Sequence, residues 1–133
     1  MKVYRMEETF TKTLFLNIKN EEKKEKIQEL CTSLNLETKK LSASDLNKTI
    51  LRITKGSIPG MPDTLPVNIP VMYELPELVI FSGFEETDVK AFLSEYKNRG
   101  IEKVPLKCMV TPFNLSWTLY DLIEHLKEEH RGI

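Results

Sequence analysis

The stretch Val104-Pro-Leu-Lys-Cys-Met-Val-Thr-Pro-Phe-Asn-Leu-Ser-Trp-Thr118 decides how the chain is read. It joins a strand signal to a helix signal across a bend rich in residues with restricted backbones. Val104 to Val110 reads as a strand, with Pro105 near its start, where a missing backbone donor costs least. Cys108 alternates with Leu106 and Val110, which turns its thiol into the core. Beyond the bend, Trp117-Thr-Leu-Tyr-Asp-Leu122 opens a helix: Thr118 caps, Asp121 reaches back, and Trp117 can staple onto Leu122. Leu119, Leu122, Ile123 and Leu126 then keep the i, i+3, i+4, i+7 spacing of one buried face.

The same grammar runs upstream. Leu78-Val-Ile-Phe81 is a continuous apolar run typical of a strand covered on both faces. Val89, Phe92, Leu93 and Tyr96 place a helix after it, and Gly100 stands where that helix should stop. In the first half, Thr13 to Ile18 reads as a strand and Asn20 as a helix cap. Ile27, Leu30, Cys31 and Leu34 share the face of the helix that follows. Leu36 to Leu41 is a second strand, and Leu41-Ser-Ala-Ser-Asp-Leu46 carries a capping box with a staple. Residues 1 to 12 suit either an edge strand or a loose arm.

Residues 55 to 76 hold five of the seven prolines. They form an irregular connection, since proline offers no donor and disfavours helix before it. Ile58, Met61, Leu65, Val67, Ile69, Val71, Met72 and Tyr73 give this connection apolar side chains to bury, so it is expected to wrap across the domain. Two strand-helix-strand-helix halves, 13 to 54 and 77 to 130, therefore flank it. Asp45-Leu46 corresponds to Asp121-Leu122 at an offset of 76, as in a degenerate duplication. The expected fold is a single α/β domain with a four-stranded, mainly parallel sheet in the order 2-1-3-4. A ferredoxin-like α+β arrangement is the alternative.

The totals exclude several function classes. The 133 residues suit one domain. Nineteen basic and twenty acidic side chains leave a net charge of -1, which favours neither nucleic acid nor an anionic membrane. No apolar run is long enough to span a bilayer, and with Lys2, Arg5, Glu7 and Glu8 among its apolar residues the N-terminus lacks the apolar core expected of a signal peptide. Cys31 and Cys108 lack any CxxC pairing and read as reduced thiols of a cytoplasmic protein.

In a parallel sheet, ligands gather beyond the carboxyl ends of the strands. That edge would bring together Asn17, Asn20, Ser82, Gly83, Thr111, Pro112, Asn114, Trp117 and Thr118. Lys107 would be an added polar contact. Turn closure by Thr111 and Asn114, stiffening by Pro112 and stapling by Trp117 account for the same residues structurally. Gly83 lies between a strand and a helix without a phosphate motif around it, and Glu85, Glu86 and Asp88 already complement the helix dipole. His125 and His130 stand about 140° apart on a helix, too far round to share a metal. Asp121 and His125 are one turn apart and could pair, but a core Cys108 would be an inert nucleophile. No metal or other cofactor is expected.

Phe81-Ser-Gly-Phe84 before an acidic helix, Val104-Pro-Leu-Lys107, Thr111-Pro-Phe-Asn114 leading into Trp117-Thr118, and Glu128-Glu-His130 resemble a bacterial family, domain of unknown function 3783. The resemblance covers residues 77 to 130. It implies a small α/β domain and carries no established activity or cofactor. Cys108, Met109, Phe113, Leu115 and Ser116 depart from the pattern, the last three standing where more polar or basic residues belong. The expectation is a non-enzymatic binding or regulatory domain, holding a protein partner or a second copy of itself through the strand-exit edge or the apolar connection. The competing reading is a small enzyme, or a binder of a neutral or amide-bearing metabolite, at that edge.

Overall fold

The computed structural model describes residues 12–131, so the expectation for the first dozen residues falls almost wholly outside the described part of the chain. The elements follow in the order β1 (Thr13–Asn17), α1 (Glu21–Ser33), β2 (Glu37–Lys40), α2 (Ile50–Lys55), β3 (Leu78–Ser82), α3 (Glu86–Asn98), β4 (Leu106–Met109) and α4 (Leu119–Arg131). They build one four-stranded sheet in the order β2-β1-β3-β4.

The strand order is the expected one, but the sheet is mixed. β1 pairs parallel to β2, and β3 parallel to β4, whereas the central pair β1 and β3 is antiparallel, with Thr13 opposite Ser82 and Asn17 opposite Leu78. The connection supplies the reason. Asn17 Nδ2 donates to Leu75 O at 3.2 Å and to Pro76 O at 3.0 Å. The incoming chain is thereby pinned beside the exit of β1, and β3 can only run back. A doubly covered strand is apolar in either direction, so the run Leu78 to Phe81 carried no sign of this.

Each helix pair covers one face. α1 and α3 pack Ile27, Leu30, Cys31, Phe92 and Tyr96 against Leu14, Leu16, Val79 and Phe81. On the other face α2 and α4 pack Ile50, Leu119, Leu122 and Ile123 against Phe15, Leu78, Ile80 and Leu106. Leu34, expected on the buried face of α1, is 40% exposed because the helix has already ended there. Asn35 and Gly100 follow the two helices in left-handed geometry, at φ 61° and 68°. The next backbone N–H in each case reaches back into the last turn, Leu36 to Cys31 O and Ile101 to Tyr96 O.

Beyond the β1–β3 ladder, the halves also meet at the starts of α2 and α4. Ile50 N–H donates to Trp117 O (2.8 Å) and Leu119 N–H to Lys48 O (2.9 Å). One step further out, Leu51 N–H donates to Leu115 O and Tyr120 N–H to Leu46 O. These bonds are symmetric about Thr49 and Thr118, which form an isolated bridge and cap α2 and α4. The matching places are thus Thr49-Ile50 and Thr118-Leu119. The capping box at Ser42, where the Ser42 N–H donates to Asp45 Oδ2 at 2.9 Å, opens a short 3-10 turn instead of α2.

Candidate functional site

Because β3 and β4 are parallel, Ser82, Gly83 and the bend from Thr111 to Thr118 do lie at one end of the sheet. Asn17 and Asn20 lie at the other, since β1 runs the opposite way. Both asparagines have structural partners there: Asn17 holds the connection, and Asn20 Oδ1 accepts from Lys23 N–H to cap α1. The common rim of central strand exits expected from a parallel sheet does not form.

Asn114 organises the bend. Its Oδ1 accepts from Thr111 N–H at 3.0 Å and its Nδ2 donates to Met109 O at 3.0 Å, so both ends of a buried amide close the turn. Thr118 is 2% exposed, and its hydroxyl accepts from Asp121 N–H. Trp117 is half-buried among the Leu119 and Leu122 core, and its ring meets His125 edge-on at 4.9 Å. His125 pairs with Glu129 at 3.2 Å, the acid one turn after it, in place of Asp121. Gly83 takes φ +80°, a conformation open to glycine at little cost, and so turns the chain from β3 towards α3. Lys107 sits early in β4, opposite Val79 and away from the bend, with Nζ 3.2 Å from Val104 O.

The polar groups of the bend therefore serve the bend. What it offers outward is apolar: Phe113 is 84% exposed. Next to it, Pro112 and Leu115 form one wall of a cavity of about 240 Å3 whose other walls come from Thr49, Arg52, Ile58, Met61 and Leu65. The connection reaches this cavity because Leu65 N–H donates to Asn47 O and Thr64 bridges Lys48. Arg52 Nε lies 3.1 Å from Asp63 Oδ1, out of line for a hydrogen bond, and Asp63 also accepts from the Ser57 hydroxyl. The connection buries less than expected: Met61 is 50% exposed, Val71 93% and Met72 92%. No single residue of the cavity marks it in the sequence. Only the coincidence of an apolar connection with an apolar bend could have pointed there.

Burial pushes the Cys31 thiol up to about 11 and, with Glu129 nearby, the Cys108 thiol up to about 12, which disfavours the reactive thiolate of both. Among the described residues no three His, Cys, Asp or Glu side chains gather as a metal ion would require. No helix there is long and apolar enough to cross a membrane.

The bend, the strand before it and the helix it opens lie in one matched stretch. Residues 77–133 match the family model of a domain of unknown function, DUF3783. No curated protein and no solved structure matches the chain. The matched region begins at Glu77, the partner of Lys23, and contains β3, α3, β4, the bend and α4. It supplies only one wall of the cavity, Pro112, Leu115 and Ser116. The remaining walls come from α2 and the connection, outside the match.

Proposed function

We propose that this protein is a non-enzymatic binding domain that holds a protein partner at the cavity between the bend and the connection. The observation that carries the reading is the pairing of that apolar cavity with two exposed apolar side chains, Phe113 and Met61, on its two sides. Interfaces concentrate their energy where an anchor fills a dry pocket while surrounding apolar groups exclude water. A partner's aliphatic or aromatic side chain would enter between Leu65 and Leu115, and Phe113 would close over it. Thr111, Asn114 and Thr118 act indirectly, by holding the bend in the shape that exposes Phe113.

A photocrosslinking amino acid at position 113, with one at Lys39 on the far sheet edge as reference, tests this in cells producing the protein. The reading expects a defined adduct from position 113 that disappears when Leu65→Asp fills the cavity entrance with charge. Adducts of equal yield from both positions, or adducts at 113 indifferent to Leu65→Asp, would remove the cavity from the account. The mass of the adduct separates a second copy of this chain from another protein.

A further inference from the structure

A second cleft, about 360 Å3, lies between β4 and α3. Leu93, Tyr96, Ile101 and Val104 line it above the buried Val79 and Phe81. Its rim carries one sign of charge: Lys97, Lys103 and Lys107 stand around it, all exposed. Among the described residues none of the three has a carboxylate partner. Of the neighbouring acids, Glu77 pairs with Lys23 at 2.9 Å and Glu95 with Arg99 at 3.1 Å, while Glu102, exposed beside Lys103, stands outside the lining. Lys97 is in the last turn of α3, where it offsets the helix dipole, which leaves Lys103 and Lys107 for a ligand. The Lys103 backbone is anchored, its carbonyl accepting from Lys23 Nζ at 2.7 Å.

An extended peptide added to the β4 edge would find little to pair with. Val110 N–H donates to Phe81 O, so by alternation Cys108 faces β3 while Lys107 and Met109 face outward. Met109 O is already taken by Asn114, and Pro105 has no N–H. An edge blunted by proline, lysine and a side-chain cap resists strand addition. A cleft of this size instead falls within the roughly 300–1,000 Å3 usual for small ligands.

We infer that the cleft binds a free single-chain aliphatic carboxylate, its tail over Leu93, Ile101 and Val104 and its head between Lys103 and Lys107. The site is separate from the cavity at the bend and does not rest on the function proposed for it.

Amide chemical shifts followed during titration with sodium decanoate, below its micelle concentration, test the inference, with 1-decanol and neutral and anionic phospholipid vesicles as parallel probes. The expected result is saturable one-to-one binding, with shifts confined to α3, β4 and residues 101–104 and Trp117 Nε1 unmoved. Affinity should fall at least tenfold for decanol, at least tenfold in the Lys103→Ser/Lys107→Ser variant, and steadily with added salt. Equal affinity for decanol and decanoate, shifts spread over both faces, no saturation, or binding to anionic vesicles without binding to free decanoate would each overturn it. A melting temperature unchanged in the double variant shows that a lost affinity reflects the lysines and not the fold.

Discussion

The two halves of the molecule use the same order of elements and end differently. β1, α1, β2 and α2 correspond in place to β3, α3, β4 and α4, and their capping threonines sit opposite one another across symmetric backbone bonds. Yet α2 has six residues and α4 has thirteen. The face that a longer α2 would cover is covered instead by the connection, through Leu75, Ile69 and Tyr73. Tyr73 is tied to α4 by its hydroxyl, which donates to Glu124 at 2.9 Å, by its ring against Tyr120 at 5.1 Å, and by the Lys127 ammonium 4.9 Å over its ring. Burial first, and the Glu124 carboxylate second, push the Tyr73 hydroxyl well above its usual range. A half that stops its helix early thus gains an irregular cover and, where that cover does not fill the space, a cavity.

If this comparison is right, equivalent substitutions should cost unequal amounts. Leu119→Ala removes a fully buried side chain from a long helix anchored along its length, and about 3 kcal/mol should be lost in urea titration. Ile50→Ala, its counterpart in the short helix, should lose about 2 kcal/mol, because α2 can settle towards the gap. Equal losses would mean that the two helices are held alike.

The halves are also clamped by Lys23 on α1, whose side chain is 8% exposed, to Glu77 at the start of β3, at 18%. Burial opposes ionisation of Glu77, but hydrogen bonds from Lys23 and from the Lys19 N–H outweigh it and lower its pKa. Its folded value then lies below its unfolded one, so the stabilisation is full above about pH 4.3 and is lost as pH falls through the folded value. Lys23→Met should cost about 2 kcal/mol at pH 7 by stranding a partly buried carboxylate. In acid titrations, Glu77→Gln should lose less stability than the parent between pH 5 and pH 3. Parallel acid curves would separate the clamp from that pair.

Thr118→Ala should cost about 1 kcal/mol through the lost cap, and Thr49→Ala somewhat less, since Thr49 is only half-buried. Asn114→Ala should also lower the melting temperature, by about 1 kcal/mol of stability or more, because two backbone groups lose their partner. Phe113→Ser should stay within about 0.5 kcal/mol of the parent, as befits a side chain that touches solvent and not the core. A Phe113→Ser protein that unfolds easily would place that ring in the fold and not in an interface.

Residues with local preferences were legible in the chain. Asn20, Thr118, Gly100 and the apolar helical spacings act over three or four positions, and apart from Leu34, past the end of α1, each is found where its pattern put it. Two other local expectations gave way to different partners. Ser42 caps a 3-10 turn because the chain must still travel to Thr49 before the bridge to Thr118 can form, and His125 found Glu129 instead of Asp121.

By itself the sequence determined the main elements, the caps of α1 and α4 and the strand order, since those follow from periodicity, restricted dihedrals and crossovers within each half. Only the tertiary structure decided the direction of β3 against β1 and hence which strand ends share a rim. That choice rests on Asn17 catching the carbonyls of Leu75 and Pro76, a contact between residues nearly sixty positions apart. Likewise, hydrophobicity along the connection does not say which side chains find cover. Val71 and Met72 are as apolar as Ile69 and Leu75 but face solvent, because burial depends on where a neighbouring surface happens to lie.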